Sequence, residues 1–269
     1  MSNEIEITAN FAKEAMQLKG KNMLAVISGN RGCGKTWLSI NLAHALSIHK
    51  QKVMLFDGDC GLNNTKIQLG LDCANDLDSI IYGNHTLNQV IFNYEKGHFD
   101  IACGNPGSSG LSTMSIGRLQ ILGDDLNIIS QNYDKLILDM SSGLNNSSKV
   151  LAGMSQSAII VCNDDFKSIT DSYGLIKLMT THYPNTILSV VINQVNYIED
   201  GLRTYKLLKK ACSEFLKEIP PLRGIIRQDT RVRDSIRNQS TIISRYPQSE
   251  AALDIMALAQ RILINEQFD

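Results

Sequence analysis

Short apolar or nearly apolar runs punctuate the chain at residues 23–27, 52–56, 99–102, 135–138, 158–162, 187–192 and 222–226. Each has the length of a buried strand. Between them the apolar residues fall three and four apart. Residues 37–46, 168–182, 199–216, 231–238 and 249–264 carry that spacing. Residues 114–131 place Ile116, Leu119, Leu122, Leu126 and Ile129 on one stripe, the pattern of a helix that buries one face. A shorter helical pattern precedes the first run at residues 7–18, and the stretch from 64 to 98 carries only weak helical signals. Strands alternating with helices throughout predict an α/β fold of three layers, a mostly parallel sheet covered by helices on both faces. No repeat, low-complexity run or linker interrupts the pattern. The expected organisation is a helical extension over residues 1–22 and a single domain over 23–269.

Composition narrows the classes. At 43% hydrophobic and 20% charged, a chain of 269 residues buries a full core in one large domain. A net charge of −1 gives no global drive towards nucleic acid or anionic lipid, so binding of either has to be local. Cys33, Cys60, Cys73, Cys103, Cys162 and Cys212 include no C-x-x-C pair, which speaks against a zinc cage or a disulfide framework and for a reduced, cytoplasmic protein. The first ten residues are acidic and polar, and no apolar run approaches the roughly 18 residues of a membrane span.

Chemistry enters at Gly29-Asn30-Arg31-Gly32-Cys33-Gly34-Lys35-Thr36. This fits the phosphate-binding pattern G-x-x-x-x-G-K-[ST], and it sits between a strand run and a helical stretch that opens with Trp37. The glycines let backbone N–H groups turn inward on phosphate oxygens, and the new helix aims its positive end at them. Lys35 neutralises β and γ phosphates in such a site, and the Thr36 hydroxyl ligates Mg²⁺. The expected architecture is therefore the P-loop NTPase version of the three-layer fold. Strand ends in open parallel sheets face the ligand crevice, and the runs at 52–56 and 135–138 end in Asp57-Gly58-Asp59 and in Asp139. These carboxylates are placed for a metal ion or water. Loops at 61–64 and 104–110 follow two of the strands.

Together with the loop, three further stretches resemble the ParA/MinD class of deviant Walker ATPases. They are Asp57-x-Asp59-x-Gly61-Leu62-x-Asn64, Tyr133-Asp134 leading into Asp139, and Ser168-Ile169-Thr170-Asp171. The continuation Ser172-Tyr173-Gly174-Leu175-Ile176-Lys177 most closely resembles the flagellar-number regulators of that class, the FlhG (FleN, YlxH) branch. So do Asn193 after its strand, the stretch 229–232, and Tyr246-Pro247 with Ser249. The resemblance covers residues 23–263. It implies a sheet of seven or eight strands, binding of ATP and Mg²⁺, ATP-dependent face-to-face homodimers, and a nucleotide-dependent switch acting on flagellar number or placement. Flagellar assembly proteins or an FlhF-like GTPase are the implied partners, and recruitment to a cell pole the implied location. By position, Lys35 and Asp59 become catalytic, Asp59 orienting the attacking water. Thr36, Asp57 and Asp139 serve the metal. Gly29, Asn30, Arg31, Gly32, Cys33, Gly34, Lys35, Thr36, Trp37, Asn193 and Asp229 hold the nucleotide, Asn193 at the adenine edge.

The departures carry information too. The family's loop has a lysine where this chain has Asn30, and that lysine reaches across the dimer to the partner's phosphates. The glycine that follows is here Arg31. Two readings stand: Arg31 takes over in trans, or dimer-coupled hydrolysis is weakened and the protein is a nucleotide-binding scaffold. Met140 and Ser142-Gly143 replace the usual residues after Asp139. Of the N-terminal Asp-Gln-Ala-x-x-Leu-Arg element that acts on the FlhF GTPase, the stretch 10–16 keeps only the alanine. A DNA-partition role needs a basic surface. Arg223, Arg227, Arg231, Arg233, Arg237 and Arg245 cluster in sequence, but Asp229 and Asp234 interrupt them, the pattern of an ion-paired solvated face. The last helix carries Asp254 and Arg261 and runs into an acidic tail, so no basic amphipathic membrane anchor is expected.

Overall fold

A computed structural model describes residues 20–59, 64–72, 76–81, 83–104, 110–143, 145–216 and 219–265. The helical pattern at 7–18, the stretch 10–16, Gly61, Leu62 and Asn63, most of the loop at 104–110 and the tail beyond Asn265 lie outside these residues.

The strands are β1 (Gly20–Ile27), β2 (Val53–Gly58), β3 (Phe92–Tyr94), β4 (Phe99–Ala102), β5 (Lys135–Met140), β6 (Ser155–Cys162), β7 (Ile187–Val195) and β8 (Leu222–Arg227). They form one sheet in the order β3-β4-β2-β5-β1-β6-β7-β8. All neighbours run parallel except β3 and β4, an antiparallel pair at one edge. β3 is the strand the apolar pattern misses. Three residues are too few to show a period, and only its pairing with β4 makes it a strand.

Each strand splits its side chains between two cores, because successive residues point to opposite faces. In β1, Met23, Ala25 and Ile27 join one cluster while Leu24 and Val26 join the other. The first cluster packs under the helices Ile116–Ser130, Asn146–Met154, Phe166–His182 and Ile198–Phe215. The second packs under Lys35–Ile48 and Glu250–Ile264. In the last helix Ala251, Ala252, Ile255, Leu258 and Ala259 are buried, so its apolar stripe is spent against β8 and the Lys35–Ile48 helix.

Caps set the helix starts. Asp165 accepts the Ser168 N–H at 2.8 Å, so this helix begins at Phe166, two residues before the expected start. Ser115 and Ser249 cap in the same way. Asn145 accepts the Ser148 N–H at 2.8 Å and starts the Asn146–Met154 helix, whose serines and glycine hide it in the sequence. Among the described residues no helix is long and apolar enough to cross a membrane.

Candidate functional site

The loop leaving β1 turns where only glycine is comfortable. Gly32 and Gly34 have φ of +86° and +81°, in the left-handed region. A Cβ on Gly34 would also stand 2.5 Å from Asn193 Nδ2, which draws the tip of β7 against the loop. Asn193 Nδ2 donates to the Cys33 carbonyl at 2.8 Å. On the other side Gly143 N–H donates to the Ser28 carbonyl at 2.9 Å, which ties the end of β5 to the loop. A cavity of about 430 Å³ opens in front of it. Of the residues singled out by sequence, Arg31, Gly32, Gly34, Lys35, Thr36, Trp37, Asp59, Asn193 and Asp229 all line it.

Asp57 and Asp139 stand behind this wall. The parallel register pairs them directly across β2 and β5, on the face that also carries Leu55 and Ile137, and both are fully buried. Asp57 Oδ1 accepts the Asp59 N–H at 3.2 Å. Asp139 Oδ1 accepts from the Ser39 hydroxyl at 3.2 Å, while its Oδ2 is buried with no hydrogen-bond partner among the described residues. Burial raises both carboxyls, Asp57 to about 6 and Asp139 to about 7. The charge of Asp57 adds to the rise at Asp139, and Lys35 and Thr36 offset part of it. Two buried carboxyls side by side resist ionising together. A cation between them and the phosphate loop removes that resistance, so this donor set fits a hard divalent ion held by oxygen. Lys35, 5% exposed, donates from Nζ to Ser142 Oγ at 2.6 Å.

The remaining loop residues face the protein interior. Asn30 Oδ1 accepts from Cys33 Sγ at 2.8 Å and from Ser168 Oγ at 3.2 Å. The Asn30 side chain is thus bound within its own subunit, while Arg31 is exposed at the cavity rim. Gly29 packs so closely on the Phe166–His182 helix that a Cβ would lie 2.4 Å from the Asp171 carbonyl carbon. At the far wall Asp229 is bridged by Arg231 at 2.9 Å. Burial alone would raise Asp229, but the Arg231 guanidinium and backbone N–H hold it below the usual carboxylate range.

The sequence placed Ser168 only within a stretch that carries the family resemblance, and did not single out Ser39, Gln194 or Gln228 as site residues. Gln194 and Gln228 line the cavity. Gln194 has φ of +62° at an irregularity in the β7–β8 pairing, and its Oε1 accepts from Asn163 at 2.9 Å. A polar residue directly after Asn193 at a strand end was the available signal. Among the described residues three of the six arginines of the cluster form ion pairs, Arg231 as described above. Arg227 meets Asp254 at 2.8 Å and Glu250 at 2.6 Å, and Arg245 meets Asp234 at 2.6 Å. Arg223 is buried, and Arg233 and Arg237 are exposed.

Comparison with known proteins agrees with this geometry. The family described as CobQ/CobB/MinD/ParA nucleotide binding domain matches residues 24–242. The antiactivator FleN of Pseudomonas aeruginosa is 32% identical over 89% of this chain and 85% of its own length. The flagellum site-determining protein YlxH of Helicobacter pylori is 29% identical over 70% of this chain and 63% of its own. Among solved structures, the cell division ATPase MinD of Pyrococcus furiosus superposes with a TM-score of 0.78 at 19% identity, over 92% of this chain and all of that one. MinD of Pyrococcus horikoshii, crystallised with Mg-ADP, gives 0.76 at 20% identity over 90% and 96%.

Proposed function

Because the chain belongs to the CobQ/CobB/MinD/ParA nucleotide-binding family as a MinD/FlhG-like ATPase, we propose that it binds ATP with Mg²⁺ and acts as a nucleotide-dependent switch on flagellar number or placement. The observation that carries the nucleotide half is the buried Asp57–Asp139 pair set behind Lys35 and Thr36. Thr36, Asp57 and Asp139 would hold Mg²⁺, which when bound supplies neutralising charge to phosphate oxygens. The chain's own residues do the rest. Lys35 leaves Ser142 for the phosphates, and its charge-assisted bonds there replace a neutral one. Asp59, at the cavity wall and one N–H from Asp57, orients water. Gly32 and Gly34 expose backbone N–H groups to the phosphates. Asn193 keeps one amide hydrogen bond to the loop and offers its oxygen to the base, and Asp229 closes the far wall.

The flagellar half rests on the FleN and YlxH relatives together with the resemblance running through residues 168–177 and 229–249. Its partners are flagellar assembly proteins or an FlhF-like GTPase, met at a cell pole. Deleting the gene from its source organism and counting flagella per cell by electron microscopy tests it. The expected result is a changed number or position, restored by the wild-type protein and not by Lys35→Ala. Unchanged flagella would overturn the assignment.

A second reading is favoured by Asn30. Its side chain is held inside its own subunit by Cys33 and Ser168, so it supplies no charge to a facing protomer. The switch then couples nucleotide to homodimer formation more weakly than a lysine at this position would.

A further inference from the structure

A second cavity, of about 380 Å³, opens against the first of the two cores and shares no lining residue with the nucleotide cavity. Leu77, Leu87, Leu122 and Ile129 form its apolar floor. Ile121 and Ile128 of the Ile116–Ser130 helix line it as well, yet they are 64% and 63% exposed. Large apolar side chains left open beside a groove mark a contact surface. The charged side chains lining the groove, Arg118 and Asp125, are of opposite sign, so it suits an apolar helix face better than a polyanion or an anionic lipid surface.

The chain itself carries a sequence of that kind. Ile7, Phe11, Ala15 and Leu18 fall four, four and three apart on one stripe, the pattern of a helix with one apolar face, and Lys13 and Glu14 cancel in charge. Phe11 and Leu18 are seven residues apart, as Ile121 and Ile128 are, a rise of about 10.5 Å along a helix. That shared repeat lets two helices meet side by side. The point of entry also fits. Asn22 Nδ2 donates to the Tyr133 carbonyl at 3.0 Å, and the Tyr133 N–H donates at 3.0 Å to the carbonyl of Ser130, the last residue of the Ile116–Ser130 helix. Leu18 precedes Asn22 by four residues, a reach of up to about 15 Å from the end of the helix that carries Ile128. A segment tethered this closely competes at an effective concentration on the order of millimolar. We propose that residues 7–18 form a helix that docks in this groove, Phe11 and Leu18 packing on Ile121 and Ile128, as an intramolecular cover that any other protein using the groove has to displace.

Hydrogen exchange of the full-length protein, followed by mass spectrometry, tests the dock. A helix this short is marginal on its own in water, so protection of its amides requires the groove. Amides of residues 7–18 should exchange at least about tenfold more slowly than those of an unstructured chain. In the double variant Ile121→Asp, Ile128→Asp they should reach the unstructured rate. Both side chains are mostly exposed, so the domain should keep its fold. Should that variant not fold, Phe11→Asp, which alters no residue of the sheet or its covering helices, should release the segment in the same way. Exchange of residues 7–18 at the unstructured rate in wild type overturns the proposal, as does protection that survives these substitutions. Protection that vanishes on dilution, as the protein passes from dimer to monomer, assigns the groove to a second copy and overturns the intramolecular dock.

Discussion

Asp139 is where the sequence says least and the fold adds most. An aspartate after an apolar run is a common arrangement. It acquires meaning when β5 lies beside β2 and the register sets it against Asp57, a neighbour 82 positions earlier in the sequence. That adjacency depends on strand order, which the apolar pattern does not encode. The loop residues were legible one by one because their spacing is local and their backbone demands are specific. The placement of Asn30 was not, since its partner Ser168 comes from another strand–helix junction.

The carboxyl pair makes a pH prediction. Asp139 has its folded pKa raised to about 7 from 3.8, so the native state holds its proton more tightly than the unfolded chain. Its contribution to stability is fully present below the unfolded value and is lost as pH rises through about 7. Asp139→Asn mimics the protonated side chain. The advantage of the ligand-free variant over wild type should therefore be larger at pH 8 than at pH 5, by at least about 1.4 kcal/mol, the equivalent of one pKa unit. Denaturant melts at the two pH values measure this, and an advantage no larger at pH 8 than at pH 5 would contradict it. His44 works in the opposite direction. Burial, and then the charge of His98, lower it to about 4, with Nδ1 2.7 Å from Thr241 Oγ1. The stability it contributes as a neutral ring is complete above about 6.5 and fades as pH falls towards 4. The comparison of Asp139→Asn with wild type cancels this term.

Among the elements, the long periodic ones were readable and the short or polar ones were not. Residues 114–131 showed their stripe, and the helix runs Ile116–Ser130. Asn146–Met154 was hidden because Asn, Ser and Gly favour caps and turns in isolation, and its packing on the Ile116–Ser130 helix and β1 overrides that preference. The phosphate loop and the Phe166–His182 helix meet closely at Gly29. Gly29→Ala places a methyl 2.4 Å from the Asp171 backbone, which neither element can absorb without moving. The expected cost is about 1–3 kcal/mol, typical of overpacking. With roughly 2–4 °C per kcal/mol for a chain of this size, calorimetry should record a fall of several degrees. A melting point unchanged within a degree would show that the contact is looser than the distance implies.

At the scale of the whole molecule, one sheet brings a loop from β1, Asp59 after β2, an amide from β7 and an ion-paired wall after β8 to a single cavity, with the Asp57–Asp139 pair of β2 and β5 buried behind it. The order of the motifs and the family resemblance led to the expectation that these residues serve one site. The one departure at Asn30 bears on assembly. Asn30→Lys replaces a side chain held inward with a cation able to reach a facing protomer, so it should strengthen dimerisation with a non-hydrolysable ATP analogue. Analytical ultracentrifugation of both proteins would show this. A wild-type dimer already as tight as the variant's would assign the bridging charge to Arg31 or another group.

Nucleotide binding at the loop underlies every role assigned to the site, and isothermal titration of Mg-ATP into wild type and Lys35→Ala tests it most directly. The expected result is one site per chain in wild type and an affinity at least about 100-fold lower in the variant, as the loss of a charge-assisted phosphate contact inside a cavity requires. Equal affinity in the two proteins, or no binding heat in wild type, would contradict it.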